Sequence, residues 1–351
     1  MTTVVAHSVR RLGTPSGAVI AIVALAATIL FGTAVGETTI APQTVLATVA
    51  NRLFGAGYEI SALDEGIVWF YRLTRTLVAA SCGAGLAVSG VILQALLRNP
   101  LADPYILGIS AGASTGAVTV VILGVGGGIV SLGLGAFGGA LLAFALVVLL
   151  AHAANAGGMA NRSGQIILAG IAGSQLFNAL TSFVITKSAN SEQARGIMFW
   201  LLGNLSGVRW HDVALAVPVA LAGVAACWWH ARALDAFTFG TDSAASLGVP
   251  VRRTRAILIS VTALMTAVMV SIVGSIGFVG LVIPHAARFI VGVRHHRLLP
   301  VSAVIGAVFL IVADVISRII IPGQVLPIGV ITALVGAPVF ALILIRGRRT
   351  R

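Results

Sequence analysis

The sequence predicts an all-α, polytopic membrane protein of about ten transmembrane helices, and three observations carry that prediction. Of 351 residues, 58% are hydrophobic and only 9% are charged, against about 25% charged and about 45–50% apolar in soluble chains. The mean hydropathy is +1.05, more apolar surface than water would tolerate. The apolar residues run in nearly uncharged stretches of about 20, the length that crosses a hydrocarbon core about 30 Å thick. Backbone inside that core must satisfy its own hydrogen bonds, so such stretches read as helices. A disordered chain and a secreted soluble enzyme are excluded. So is a disulfide scaffold, because Cys82 and Cys227 lie in apolar stretches, where a thiol behaves as a small hydrophobe.

A tail over 1–16, carrying Arg10 and Arg11, precedes a first span at Gly17–Gly36. That uncharged run exceeds the roughly 7–15-residue core of a signal peptide, so a retained span is expected. Nine more follow at about 76–97, 105–124, 132–151, 165–186, 212–230, 255–274, 276–292, 299–319 and 325–345. The eighth is the most interrupted, holding Pro284, His285 and Arg288. The even count puts both termini on one side, and residues 1–351 form a single transmembrane domain.

With both termini in the cytoplasm, 15 of the 22 Lys and Arg residues fall on cytoplasmic segments and 7 on the outer face. This is the bias expected of cytoplasmic loops. Seven of the ten acids lie on the outer face: Glu37, Glu59, Asp64, Glu65, Glu192, Asp212 and Asp314. The net charge of +12 therefore needs no nucleic-acid partner. Trp69, Trp200 and Trp210 sit at outer span ends and Trp228–Trp229 at an inner one, as an interfacial belt requires.

Lipid gives helices no hydrophobic reason to associate, so close packing relies on small residues. Gly108, Gly112 and Gly116 recur in the third span, Gly83 and Ala87 in the second, Gly170 and Ser174 in the fifth, and Gly274, Gly277 and Gly280 lead into the eighth. Gln175, Asn178 and Thr181 lie three apart in the fifth span and share a helical face, which makes that span a candidate pathway lining. Asp314 and Arg318 form an i,i+4 pair near the outer end of the ninth. The acids lie in loops or at span ends, which argues against a secondary carrier with a coupling-ion site in mid-membrane. HExxH, CxxC and GxxxxGK[ST] patterns are missing from the sequence, so the chain reads as a transport component and not an enzyme.

Residues 231–254 are too polar to span. Leu234, Phe237 and Phe239 precede Thr241–Asp242–Ser243, which is expected to cap a short helix through Ala244–Leu247. Gly248 and Pro250 then stop it.

Several motifs resemble one family. Gly83–Ser114 (GAGLAVSGVILQALLRNPLADPYILGISAGAS) is similar to permease subunits of bacterial ABC importers for iron-siderophores, haem and cobalamin, the FecCD type. Phe199–Gly207 (FWLLGNLSG), Ala244–Arg252 (AASLGVPVR), Gly277–Arg288 (GFVGLVIPHAAR), Asp314–Arg318 (DVISR) and Pro327–Phe340 (PIGVITALVGAPVF) continue the resemblance in the family's order. It implies a type II ABC importer permease with ten spans in the cell inner membrane. Its implied cargo is a metal chelate, with ferric siderophore first and haem or cobalamin as alternatives. The implied partners are a second permease subunit, identical or paralogous, two cytoplasmic ATPase subunits and a periplasmic substrate-binding protein. The chain itself would hold no cofactor, since ATP and magnesium belong to the ATPase.

Carried over by position, Arg72, Arg75 and Arg318 resemble the outer arginines that dock the binding protein. Ala244, Ala245, Leu247 and Gly248 resemble the segment that couples to the ATPase, and Asn99 and Leu101 the cytoplasmic gate. Two positions depart from the family pattern: Thr74 stands where Arg-Leu-Pro-Arg has proline, and Val325 where an acid usually precedes Pro-Ile-Gly.

Overall fold

Long runs of Ala, Leu, Val and Ile, punctuated by glycine and proline, fold here as helices joined by short turns. The computed structural model describes residues 15–36, 38, 40–155, 162–188 and 190–347. The expected N-terminal tail lies outside these up to residue 14, as do Glu37 and the C-terminal Arg348, Arg349 and Arg351. The helices are α1 (Pro15–Ala34), α2 (Pro42–Phe54), α3 (Ala62–Gly66), a π-helical stretch (Ile67–Leu73), α4 (Thr74–Leu97), a 3-10 turn (Pro104–Leu107), α5 (Ile109–Leu123), α6 (Leu132–Asn155), α7 (Arg162–Ser188) and α8 (Ser191–Leu201). Then come α9 (Trp210–Trp229), α10 (Ala231–Phe237), α11 (Thr241–Ser246), α12 (Val251–Val273), α13 (Val279–Val291), α14 (His295–Ile319) and α15 (Ile328–Gly347).

Among the described residues, seven helices are long and apolar enough to cross a membrane: α1, the continuous Ala62–Leu97 run, α6, α7, α9, α12 and α14. Three shorter apolar helices, α5, α13 and the apolar part of α15, complete the ten expected spans. The 13 residues of α13 reach only about 20 Å at 1.5 Å per residue. An irregular 274–278 segment precedes it.

The second span starts earlier than the sequence suggests. Arg72 and Arg75 place its boundary near residue 76 on hydropathy, yet helical backbone runs unbroken from Ala62 to Leu97. Both arginines are inside it and buried, because polar partners from distant helices meet them there.

α4 is the central helix. It packs on α9, α12, α13 and α14, and Val78, Cys82, Val88, Val91 and Ile92 are wholly enclosed. Glycine makes these contacts possible. A Cβ on Gly83 would lie 2.1 Å from the Gly306 carbonyl of α14, and one on Gly90 only 1.9 Å from the Gly280 carbonyl of α13. Gly112 of α5 meets Gly139 of α6 in the same way, at 2.3 Å. Gly277, expected in the same packing role, faces open space.

Candidate functional site

The first site feature is a buried polar cluster at the helix ends expected to face outward. The π-helical stretch brings Arg72, α4 brings Arg75, α14 brings Asp314, Ser317 and Arg318, and the turn after α8 brings Ser206. Asp314 sits between two guanidiniums: its Oδ1 accepts from Arg75 Nε at 2.6 Å and its Oδ2 lies 3.0 Å from Arg318 Nη2. Arg75 also donates to Ser206 Oγ at 3.2 Å.

The remaining donors close the end of α1. A helix leaves its last four carbonyls without partners, and an unmet carbonyl in hydrocarbon costs several kcal/mol. Arg318 donates to the Gly32 and Val35 carbonyls, each at 2.9 Å. Arg72 donates to the Ala34 carbonyl at 2.6 Å, to Thr38 Oγ1 at 2.8 Å and to the Thr38 carbonyl. Cations at a helix C-terminus also meet its negative dipole end.

Arg72, Arg75 and Arg318, expected to dock a binding protein, are thus drawn into the helix ends. Their exposures are 6, 9 and 6%, and they hold α1 to α4 and α14 instead of projecting outward. The i,i+4 spacing of Asp314 and Arg318 does pair them as expected. Sequence reading missed Ser206, Ser317 and Thr38, ordinary hydroxyl residues with no signal of their own.

The second feature is the 231–254 segment, expected to couple to an ATPase. α10 buries Ala231, Leu234 and Phe237 in the main core and is tied to the base of α14. There His295 donates its backbone N–H to Asp235 Oδ1 at 2.9 Å and holds the same oxygen with Nδ1 at 2.7 Å. On this anchored base, α11 and the turn after it present Ala245, Leu247 and Gly248 to the surface, with Leu247 70% exposed. Ala244 is buried and holds the helix down. The expected cap is corrected: Gly240 occupies the N-cap position with no side-chain hydrogen bond, and Thr241–Ser243 are already helical. Gly248 ends the segment at φ 81° with open space around it. Beside it runs a groove of about 500 Å³ lined by Trp229, Arg232, Leu247, Gly248 and Pro250.

The third feature is the 98–103 loop. Asn99 Oδ1 accepts from the Leu101 N–H at 2.9 Å, turning the loop so that Leu101 is 46% exposed. A Cβ on Gly240 would lie 3.9 Å from Arg98 Nη1, which places this loop against the start of α11. Asp103 then accepts from the Tyr105 N–H at 2.9 Å. Burial pushes its carboxyl up to about 6, against that N–H, which pulls it down.

The three polar residues of α7 do not act as one face. Gln175 and Asn178 are exposed. Thr181 is buried in the contact with α5, its Oγ1 2.8 Å from Thr115 Oγ1 and 3.0 Å from the Phe177 carbonyl. Thr115, a hydroxyl residue in a glycine-rich helix, carries no sequence signal of this pairing. Among the described residues, no three His, Cys, Asp or Glu side chains converge to hold a metal ion.

The profile of the FecCD transport family matches residues 22–346. The chain belongs to that family. It is 40% identical over 316 residues to the cobalamin import system permease protein BtuC of Halobacterium salinarum, covering 88% of this chain and 80% of that one. The Fe(3+) dicitrate transport system permease protein FecD of Escherichia coli is 38% identical over 278 residues, 79% of this chain and 85% of that one. A solved ABC transporter in an inward-facing conformation, assigned to the metal-chelate type, superposes with a TM-score of 0.81 at 28% identity, covering 95% of this chain and 100% of that chain. This FecCD chain is accordingly a multi-pass membrane component of an ABC importer, with the type II permease fold. Its relatives carry names of different cargoes.

Proposed function

We propose that this FecCD chain forms the membrane path for a metal chelate in an importer driven by ATP bound on partner subunits. The observation that carries the reading is the match along most of the chain to permeases named for ferric dicitrate and for cobalamin. Both cargoes are metal-centred and too large for a narrow pore. Ferric siderophore is the first cargo assigned; the 40% relative favours cobalamin as the second, and haem follows. The partners are a second permease subunit, two ATPases that meet Ala245, Leu247 and Gly248, and a soluble binding protein on the outer side. Both termini lie in the cytoplasm of a cell with this chain in its inner membrane. Asn99 and Leu101 gate the inner end of the path, and Gln175 and Asn178 line it. The Arg72–Arg75–Arg318 cluster shapes the outer face on which the binding protein docks.

Physical chemistry supports ATP drive over ion coupling. A coupling site needs a carboxylate free to gain and lose its ion within the membrane. Asp314, buried within a span, is committed to Arg75 and Arg318. The test is the ligand of the cognate binding protein, read by calorimetry with ferric siderophores, haem and cyanocobalamin. Tight binding of one of these supports the reading, and a binding protein that takes only free metal ions or small metabolites overturns it.

A further inference from the structure

We propose that Gln94 is a positioning residue that fastens the 98–103 loop to α13, so that the gate moves with that helix. The proposal rests on the reading of Asn99 and Leu101 as the cytoplasmic gate. Gln94 interrupts an apolar run (VILQALL) in the last turn of α4, and its side chain is 4% exposed. A buried amide must find partners or cost the fold heavily. Here the partners come from two other segments.

Gln94 Oε1 accepts from Arg288 Nη2 at 2.7 Å. A guanidinium only donates, so this bond fixes the amide's orientation and turns its nitrogen the other way. That nitrogen donates into a group of carbonyls: Gly280 at 3.2 Å, Ala102 at 3.3 Å and Leu281 at 3.5 Å. Ala102 belongs to the loop, and Gly280, Leu281 and Arg288 to α13. One side chain thus joins the end of α4, the loop and two turns of α13.

The surroundings make the joint stiff on one side and free on the other. One helical turn earlier, Gly90 meets Gly280 backbone to backbone, and a Cβ on Gly280 would lie 2.6 Å from Pro104 Cδ. The start of α13 therefore cannot shift without carrying the 3-10 turn. Asn99 N–H to the Gln94 carbonyl at 3.2 Å and Arg98 N–H to the Ala95 carbonyl at 3.4 Å tie the start of the loop to α4, while Leu101 N–H to Asn99 Oδ1 and Ala102 N–H to the Asn99 carbonyl are internal, so the far end of the loop needs its own attachment toward α13. The bond from Gln94 to the Ala102 carbonyl supplies that attachment.

The two halves of the amide can be removed separately. Gln94→Glu keeps an acceptor for Arg288 and loses the donor to Ala102. Arg288→Met loses the guanidinium and keeps that donor. Spin labels on Leu101→Cys and Phe289→Cys, with Cys82 and Cys227 replaced by alanine, report the loop-to-α13 distance in the full chain reconstituted in liposomes. Loss of the donor to the Ala102 carbonyl is expected to broaden the distance distribution about twofold in Gln94→Glu. Arg288→Met, which frees the amide to turn but keeps its donor, should broaden it by clearly less. Parent width in Gln94→Glu, or equal broadening in both variants, overturns the proposal.

A second readout separates this proposal from the gate reading. Unlabelled Leu101→Ala and Gln94→Glu transporters are loaded with cyanocobalamin and ferric dicitrate, and efflux is followed without ATP. Leak through both variants above the parent is the expected result. Leak through Leu101→Ala alone removes the role of Gln94 and leaves the gate in place. A broadened distance with no leak through either variant removes the gate reading, and with it the claim that Gln94 positions a gate.

Discussion

Replacing Asp314 with alanine strips the carboxylate from between Arg75, at 2.6 Å, and Arg318, at 3.0 Å. The carboxylate is only 1% exposed, so water cannot take its place without opening the contact between α4 and α14. Breaking a buried ion pair by removing one partner costs about 3–5 kcal/mol, because the other charge stays buried. At roughly 2 °C per kcal/mol for a large domain, the melting temperature should fall by roughly 6–10 °C. Tryptophan fluorescence of the purified chain in detergent reads this directly, since Trp69 and Trp210 stack with ring centroids 4.6 Å apart near the affected ends. Replacing Arg75 by methionine in the same chain, with Asp314→Leu, should recover part of the loss, as apolar replacement of a whole pair does. A melting temperature for Asp314→Ala within about 2 °C of the parent would refute the buried clamp. The arginines would then be solvated and available for direct docking.

Gly248→Arg should reduce ATP-driven uptake at least about tenfold while membrane yield is unchanged, because only the positive φ is strained, at about 1–2 kcal/mol. Gly248→Ala carries the same backbone strain with little bulk, so similar losses in both would point to the turn and not to a partner surface. Gly90→Val drives a branched side chain into the Gly280 carbonyl and should destabilise by about 1–3 kcal/mol or more, read as lost yield and melting temperature. Gly138→Ala, with open space around it, should be neutral in the same assays. Reporter fusions at Arg351 and within the 187–211 loop should report opposite sides of the membrane, and agreement between them would break the ten-span topology.

The ten apolar helices were legible because burial in lipid demands long uncharged runs, and a run of that kind is visible in one dimension. The helix carrying Arg72 and Arg75 was cut short for the same reason. Hydropathy treats each arginine as a cost, while the carboxylate that offsets Arg75 lies 239 positions away. Gln94 and Arg288 are 194 positions apart, and only the fold brings them together. A glutamine in VILQALL and an arginine inside a short apolar helix were the visible signs that polar partners had to exist. Glycine spacing announced close packing in advance, but which glycines meet, such as Gly83 with Gly306, is a property of the assembled bundle. Thr181 shows the opposite failure: helical spacing grouped it with Gln175 and Asn178, yet Thr115 offered a closer partner than a pathway would.

Under the proposed function, this FecCD chain carries a metal chelate inward at the expense of ATP hydrolysed elsewhere. The most direct test is accumulation into proteoliposomes assembled from this chain, its cognate ATPase and its binding protein, with ATP supplied on the ATPase side. Uptake of a ferric siderophore, haem or cyanocobalamin against its gradient is expected. That uptake should require both partners and be insensitive to dissipation of proton and sodium gradients. Uptake by the permease alone, driven by an ion gradient and indifferent to ATP, would contradict it.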